Sequence, residues 1–321
     1  MRGFYAALEG KLKRFQPIDY GPVASRLMRE GLEDARKGIY FPPFKVLHSI
    51  EANCAFARGQ NKDAVTRGRV GAVMNVWHDN PNPLYEQTIR KNVHQFALLM
   101  HREQMELQHR HSRDETARTQ LLFVSGNPLP VTAAEFERRY GLSVERWMQL
   151  SWLTYAAAQH DPHGCFPKEA VQTYEGLDMS ADEVDAYFAL ASSTPAQVRE
   201  RFRGEVLTMQ PELRFLARSF FLERPLIDFG EGRMFAPHPE LVIRNAGQGA
   251  YRLIKPLSGF DHEFGLSVQR YVGHILRSLE GEYLLLGAEE LERQAAGQRS
   301  CDYLLELNDC ILLIECKATT F

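Results

Sequence analysis

Residues 301–321 read CDYLLELNDCILLIECKATTF, two apolar runs of β-forming residues on either side of the turn pair Asn308-Asp309. Runs of this kind meeting at such a pair fold as a short hairpin. With Asn308 and Asp309 as the loop, Leu307 faces Cys310, and the same register carried outward sets Asp302 opposite Glu315. Lys317 then lies two residues on, on the same face. Two carboxylates facing each other beside Leu/Ile-rich strands repel unless something positive lies between them. A divalent cation or the Lys317 ammonium meets that need. The plainer arrangement has Asp302 as a turn residue and Glu315 and Lys317 as an exposed ion pair worth under about 1 kcal/mol, which leaves the opposing acid unneutralised. Both faces of CILLI are apolar, which predicts a central strand covered by helices on each side.

An Asp, twelve residues, then Glu-x-Lys at the end of an apolar strand resembles the metal core of the PD-(D/E)XK superfamily, the restriction-endonuclease-like fold. The stretch Phe264-Gly265-Leu266-Ser267-Val268-Gln269-Arg270-Tyr271-Val272-Gly273 looks like that family's first core helix. Two positions depart from the pattern: Gln269 stands where the helix often carries a glutamate, and Cys301 where a proline often precedes the first acid. The resemblance implies metal-assisted phosphodiester hydrolysis, with Asp302 and Glu315 as ligands of Mg²⁺ or Mn²⁺. Waters and the Cys316 main-chain carbonyl complete the shell. Lys317 orients the attacking water and stabilises charge on the phosphorus centre, and Gln269 or Glu263 reaches the shell through water. The implied partner is nucleic acid, with DNA favoured, in restriction, repair or anti-phage defence. The family core continues past Glu-x-Lys with a helix and a further strand, whereas this sequence stops four residues after Lys317. The expectation is a core incomplete at its C-terminus, whose last strand is an apolar edge open to a protein partner or a second copy.

A chain of 321 residues with 44% hydrophobic content can bury a full core and suggests two domains. No run approaches eighteen apolar residues, and the start MRGFYAALEGKLKRF is an amphipathic helix pattern, so the reading is a soluble, cytoplasmic protein without a membrane span. Five scattered cysteines, Cys54, Cys165, Cys301, Cys310 and Cys316, with no CxxC spacing, indicate neither a disulfide framework nor a zinc cluster. The net charge of −3 conceals an asymmetry. Residues 255–321 hold six Lys/Arg against eleven Asp/Glu, so the positive surface that would hold phosphates must come from the N-terminal part or a partner.

Along the chain, helical periodicity covers 3–14, 22–37, 46–57, about 62–77 and roughly 84–110, broken at 39–44 and at Asn80-Pro81-Asn82-Pro83. Thr132, Ser180 and Thr194 each open a capping box, with Glu135, Glu183 and Gln197 three residues on. The Gly141-Leu142-Ser143 turn between two helices has helix-turn-helix spacing. The second helix, rich in Trp, Met and Leu, reads better as part of a bundle. Residues 225–256 form a hairpin or linker around Gly230-Glu231-Gly232, and a helix striped by Phe264, Val268, Val272, Ile275 and Leu279 opens the C-terminal core. The organisation is therefore α+β: a helical region 1–224 that binds substrate or a partner, the segment 225–256, and a nuclease-like core 257–321 with a small mixed sheet. His94, His101, His109 and His111, the Gly/Arg-rich stretch 59–71, Arg199, Arg201 and Arg203, and Asp161-Pro162-His163-Gly164-Cys165 read as helix surface or turns. Against the nuclease stands a non-catalytic binding or regulatory protein that uses a nuclease-like fold as a docking surface. A helical DNA-binding regulator acting through residues 132–159 is the third possibility.

Overall fold

The computed structural model describes residues 2–33, 41–58, 64–80, 113–126, 128–172, 177–210, 214, 217–279, 283–294, 301–307 and 310–317. The architecture is mixed α and β, mostly helical, with two small sheets. It divides into one unit of Met1–His111 with Met148–Gly249, and a second of Ser112–Trp147 with Ala250–Phe321. Among the described residues no helix is long and apolar enough to cross a membrane. The long helix expected at 84–110 and its histidines lie outside the described residues.

The first unit is organised around three N-terminal helices, α1 (Arg2–Leu12), α2 (Pro17–Glu33) and α3 (Pro43–Phe56). Helix α1 buries Phe4, Leu8 and Leu12, spaced four apart along one face. In α3 every residue from Val46 to Phe56 is buried, so its polar side chains must find partners inside the protein. Asn53 Nδ2 donates to the carbonyls of Leu12 and Phe15, satisfying the C-terminal end of α1, while its Oδ1 is buried without a partner among the described residues. Tyr20 donates to Ser49 Oγ at 2.9 Å. Helix α4 (Arg67–Asp79) starts at Thr66, whose side chain caps Arg69 N–H, five residues later than the periodicity suggests. Gly68 and Gly71 lie within this helix, which removes them from any phosphate loop.

Arg199, Arg201 and Arg203 are not simply a solvated helix face. Arg199 Nε donates to the Cys54 carbonyl and Arg203 Nη2 to the Ala55 carbonyl, closing the C-terminal end of α3, while Arg201 pairs with Glu205 and Glu223. The expected hairpin at 226–235 is present, with Gly230, Glu231 and Gly232 all at positive φ. It belongs to a larger mixed sheet, β1 (Cys165–Pro167), β4 (Arg233–Phe235), β3 (Leu226–Asp228) and β2 (Ser192–Ser193), in which β2 and β3 run parallel. Strands of two and three residues are too short to leave a periodic trace in sequence.

In the second unit, α5 (Arg113–Phe123) packs on α11 (Phe260–Arg277) through the stacked pair Phe123–Phe264 at 5.7 Å, Phe260 stacks on Phe264 within α11 at 4.9 Å, and α6 (Pro130–Tyr140) is tied to α11 by Glu263. Between α6 and α11 in the chain come α7 (Val144–His160), α8 (Ala181–Ala191), α9 (Pro195–Arg201) and α10 (Pro239–Ile254). Ser180 and Thr194 cap α8 and α9 with complete capping boxes, as expected. Thr132 does not. Pro130 sets the first turn of α6, leaving Thr132 inside the helix, and the free N–H groups are capped by Glu263 from α11. One oxygen accepts from Val131 N–H and the other from Thr132 N–H and its hydroxyl, at 2.6–2.9 Å. Burial pushes the Glu263 carboxyl up, but these donors outweigh it and hold it below the ordinary range. Replacing Glu263 with Ala is expected to lower stability by about 2 kcal/mol, read from the urea midpoint. An unchanged midpoint would mean that Pro130 alone secures the helix start.

The second unit's sheet is three-stranded and antiparallel throughout, β5 (Leu284–Gly287), β6 (Tyr303–Leu307) and β7 (Cys310–Ile314), with α12 (Ala288–Gln294) between β5 and β6. The mixed sheet expected here lies in the other unit. Among the described residues strand β7 is at the edge of the sheet, not the centre, because β6 takes the middle position. Ile311 and Leu313 are 61% and 67% exposed. The expected stripe on α11 also ends early. Ile275 and Leu279 are 43% and 45% exposed, because the helix meets the sheet through Gly273, placed under the ring of Tyr303.

Candidate functional site

The terminal hairpin has the register read from its turn: Leu307 pairs with Cys310, and the rungs continue in step to Tyr303 and Ile314. The next rung departs from it. Asp302 N–H donates to the Ile314 carbonyl at 3.1 Å, and Cys316 N–H donates to Asp302 Oδ2 at 2.6 Å. A side-chain oxygen thus receives a donor that a continued ladder would send to a main-chain carbonyl. The half-buried Asp302 is thereby drawn against the Glu315-Cys316-Lys317 stretch, while Glu315 and Lys317 are exposed.

The charges of both acids act on the Cys316 thiol. Burial pushes that thiol up to about 11, helped by the charge of Asp302, a hydrogen bond to it, and the charge of Glu315. Helix α11 is fastened to the same strand end by Tyr303, which donates to the Gln269 carbonyl at 2.8 Å, while Tyr283, at the other end of the sheet, donates to the Leu276 carbonyl at 3.1 Å. Gln269 therefore reaches the neighbourhood of Asp302 through its main chain. Glu263 is engaged at the start of α6, with both oxygens occupied, which removes it from the group.

Among the described residues no cluster of three or more His, Cys, Asp or Glu side chains could hold a metal ion. The donors that the sequence assigns to a cation here are the two carboxylates of Asp302 and Glu315, and burial keeps the neighbouring Cys316 thiol well above the ordinary thiol range. Such a set suits Mg²⁺ or Mn²⁺, which keep several waters and need only one or two carboxylates from the protein. It does not suit the closed cages that Zn²⁺ or Ca²⁺ takes.

Elsewhere, Asp161-Pro162-His163-Gly164-Cys165 is a turn, with Asp161 Oδ1 accepting from the N–H groups of His163 and Cys165. Burial pushes the Cys165 thiol up to about 12, away from the thiolate form that nucleophilic chemistry uses. In the helix after Gly141, Trp147 and Met148 are buried, as in a bundle.

A polar cluster with no sequence signal lies in the first unit. Glu51 Oε1 accepts from Ser219 Oγ at 2.6 Å and Phe220 N–H at 2.9 Å, and His48, one turn earlier on α3, meets Tyr5 Oη at 3.1 Å. Burial lifts Glu51 to about 7 against the pull of these donors and of Arg201, and lowers His48 to about 4. Glu51 holds the 219–222 turn onto α3, a structural task for a carboxyl. No protein-family model, curated protein or solved structure matches the chain.

Proposed function

We propose that this chain is a metal-dependent nuclease that hydrolyses phosphodiester bonds, with DNA the favoured substrate. The observation that carries the reading is the 2.6 Å bond from Cys316 N–H to Asp302, which draws the first acid against the Glu-x-Lys stretch. Helix α11 preceding the β6–β7 hairpin in the chain, with β5 and the short α12 between them, supports it, because the PD-(D/E)XK resemblance implies a core helix ahead of the acid-bearing strands. Asp302 and Glu315 would hold Mg²⁺ or Mn²⁺ together with waters and the Cys316 carbonyl. When bound, the ion supplies Lewis-acid polarisation of a phosphate oxygen and a coordinated water of lowered pKa. Lys317, exposed beside Glu315, donates to the attacking water and to the phosphate oxygens as negative charge builds on them. The Gln269 side chain supports the shell through water. The acidic balance of residues 255–321 assigns the grip on the phosphate backbone to the helical region or to a partner. Restriction, repair or anti-phage defence in the cytoplasm is the setting that fits such an activity.

Plasmid and oligonucleotide cleavage with Mg²⁺, Mn²⁺ or chelator tests the proposal. Wild-type cleavage should require the metal and fall at least about 100-fold in Lys317→Ala, the usual loss when a transition-state donor is removed. Cleavage that persists in chelator or in the variant removes the mechanism. A second reading, a docking protein without catalysis, has one observation in its favour: Leu284, Leu286, Leu304, Ile311 and Leu313 share one sheet face, and Leu284, Ile311 and Leu313 on it are exposed. A Mn²⁺ titration equally silent for the wild type and Asp302→Ala favours that reading.

A further inference from the structure

We propose that Glu51 is a pH-operated latch: uncharged, it holds the 219–222 turn against α3, and once ionised it favours lifting of that turn into solvent. The carboxyl is 1% exposed, and its Oε1 accepts from Ser219 Oγ at 2.6 Å and Phe220 N–H at 2.9 Å, both uncharged donors. A carboxylate buried this deeply is costly unless a cation is set against it. Arg201, whose charge reaches Glu51, is engaged elsewhere: it pairs with Glu223 at 2.8 Å and Glu205 at 3.0 Å and lies 4.4 Å over the Phe220 ring. The turn has its own internal bonds. Leu222 N–H donates to the Ser219 carbonyl, and the Glu223 and Arg224 N–H groups donate to that of Phe220. Glu51 and the buried rings of Phe220 and Phe221, which belong to the same core, tie it down. Lifting the turn brings water to the carboxylate, so ionisation and opening favour each other. The surrounding groups leave Glu51 as the buried one whose charge changes between pH 5 and 8. Burial lowers His48 on α3 to about 4, and it raises Cys54 on α3 to about 12 and Tyr5 on α1 above the ordinary phenol range. Arg199 and Arg201 of α9, Arg203 just after it, and Arg214, 5.3 Å from the Tyr5 ring, are guanidinium ions throughout. Glu205 and Glu223 join the cluster through their pairs with Arg201.

The test is amide hydrogen exchange on the full chain as wild type, Glu51→Gln and Ser219→Ala, read as protection factors so that the intrinsic pH dependence of exchange is removed. Protection of the wild-type 220–224 amides should fall on the order of 100-fold from about pH 5 to about pH 8, as Glu51 passes from its solvated to its buried titration range. The α3 amides, which exchange when the whole unit opens, feel His48 as well and should stay level up to about pH 6.5. Glu51→Gln should hold the 220–224 protection flat across the range. Ser219→Ala, which removes one bond of the latch, should lower that protection at every pH and keep the fall. The wild-type profile decides the matter even where Glu51→Gln does not fold: protection at 220–224 that stays constant overturns the latch. The same fall in Glu51→Gln overturns it as well. A single protection factor shared by the turn and α3 at every pH does so too, because the turn then opens only with the whole unit.

Discussion

Glu51→Gln is expected to gain about 3 kcal/mol on the wild type as pH rises from about 4.5 to about 8, and His48→Phe to gain a similar amount as pH falls from about 6.5 to about 4. The two effects have opposite signs. Glu51 ionises near 4.5 in the unfolded chain but near 7 in the folded one, because burial disfavours its charge more than Ser219, Phe220 and Arg201 favour it. The native state therefore holds a proton that the unfolded state has released, and stability present below pH 4.5 is lost as pH rises through 7. His48 is the mirror case. Burial lowers it from 6.5 to about 4, the unfolded chain binds the extra proton between those values, and stability present above pH 6.5 is lost as pH falls through 4. In the wild type the two slopes offset each other across the window they share. Each substitution exposes the other group's titration. Gln keeps an oxygen for Ser219 and Phe220 N–H, and Phe keeps the ring contacts of His48 with Trp77 and Phe202, so the pH-dependent part of each difference reports the ionisation. Hydrogen exchange of α3 amides, followed across this pH range, confines the measurement to the first unit. Parallel pH profiles for the wild type and both variants would show that neither group titrates in the window.

The contrast between the hairpin and α3 shows what a sequence can disclose. The hairpin register followed from one turn pair and two apolar runs, and the structure has it from Leu307–Cys310 to Tyr303–Ile314. The last rung was not legible, because it depends on the Asp302 side chain replacing a main-chain acceptor, and register arithmetic counts only the backbone. The edge position of β7 was missed for a related reason: an apolar run reads the same whether a neighbour covers it or not, and pattern reports the strand's composition, not its surroundings. Local capping at Ser180 and Thr194 was readable because both partners lie within four residues. At Thr132 the same motif was overridden by Pro130 and by a carboxylate 131 residues away. Glu51 and His48 left no trace at all. A helix buried on every side shows no polar face by which to locate its inner charges, and the partners of Glu51 are 168 and 169 residues distant.

Gly273→Val is expected to remove about 3–4 kcal/mol of stability from the second unit and to abolish any cation binding at the hairpin end. A Cβ at position 273 falls 2.8 Å from Tyr303 Cζ and closer still to the hydroxyl, which is itself fixed by its bond to the Gln269 carbonyl one turn away on the same helix. The ring cannot retreat without breaking that bond, and Tyr303 is the residue next to Asp302, so moving the ring moves the candidate site. Gly273→Ala is the finer probe. It gains about 1 kcal/mol of helix propensity, yet the clash should leave it about 1–2 kcal/mol less stable than the wild type. In a Tyr303→Phe background the hydroxyl that meets the new methyl is gone, so the penalty for Ala should shrink by about 1 kcal/mol or more, a coupling that only direct contact produces. Urea unfolding of the four proteins closes the cycle. An alanine variant at least as stable as the wild type, or penalties that simply add, would mean that α11 does not rest on the sheet through Gly273. Asp302 would then lose the support that makes the hairpin end a plausible place for chemistry.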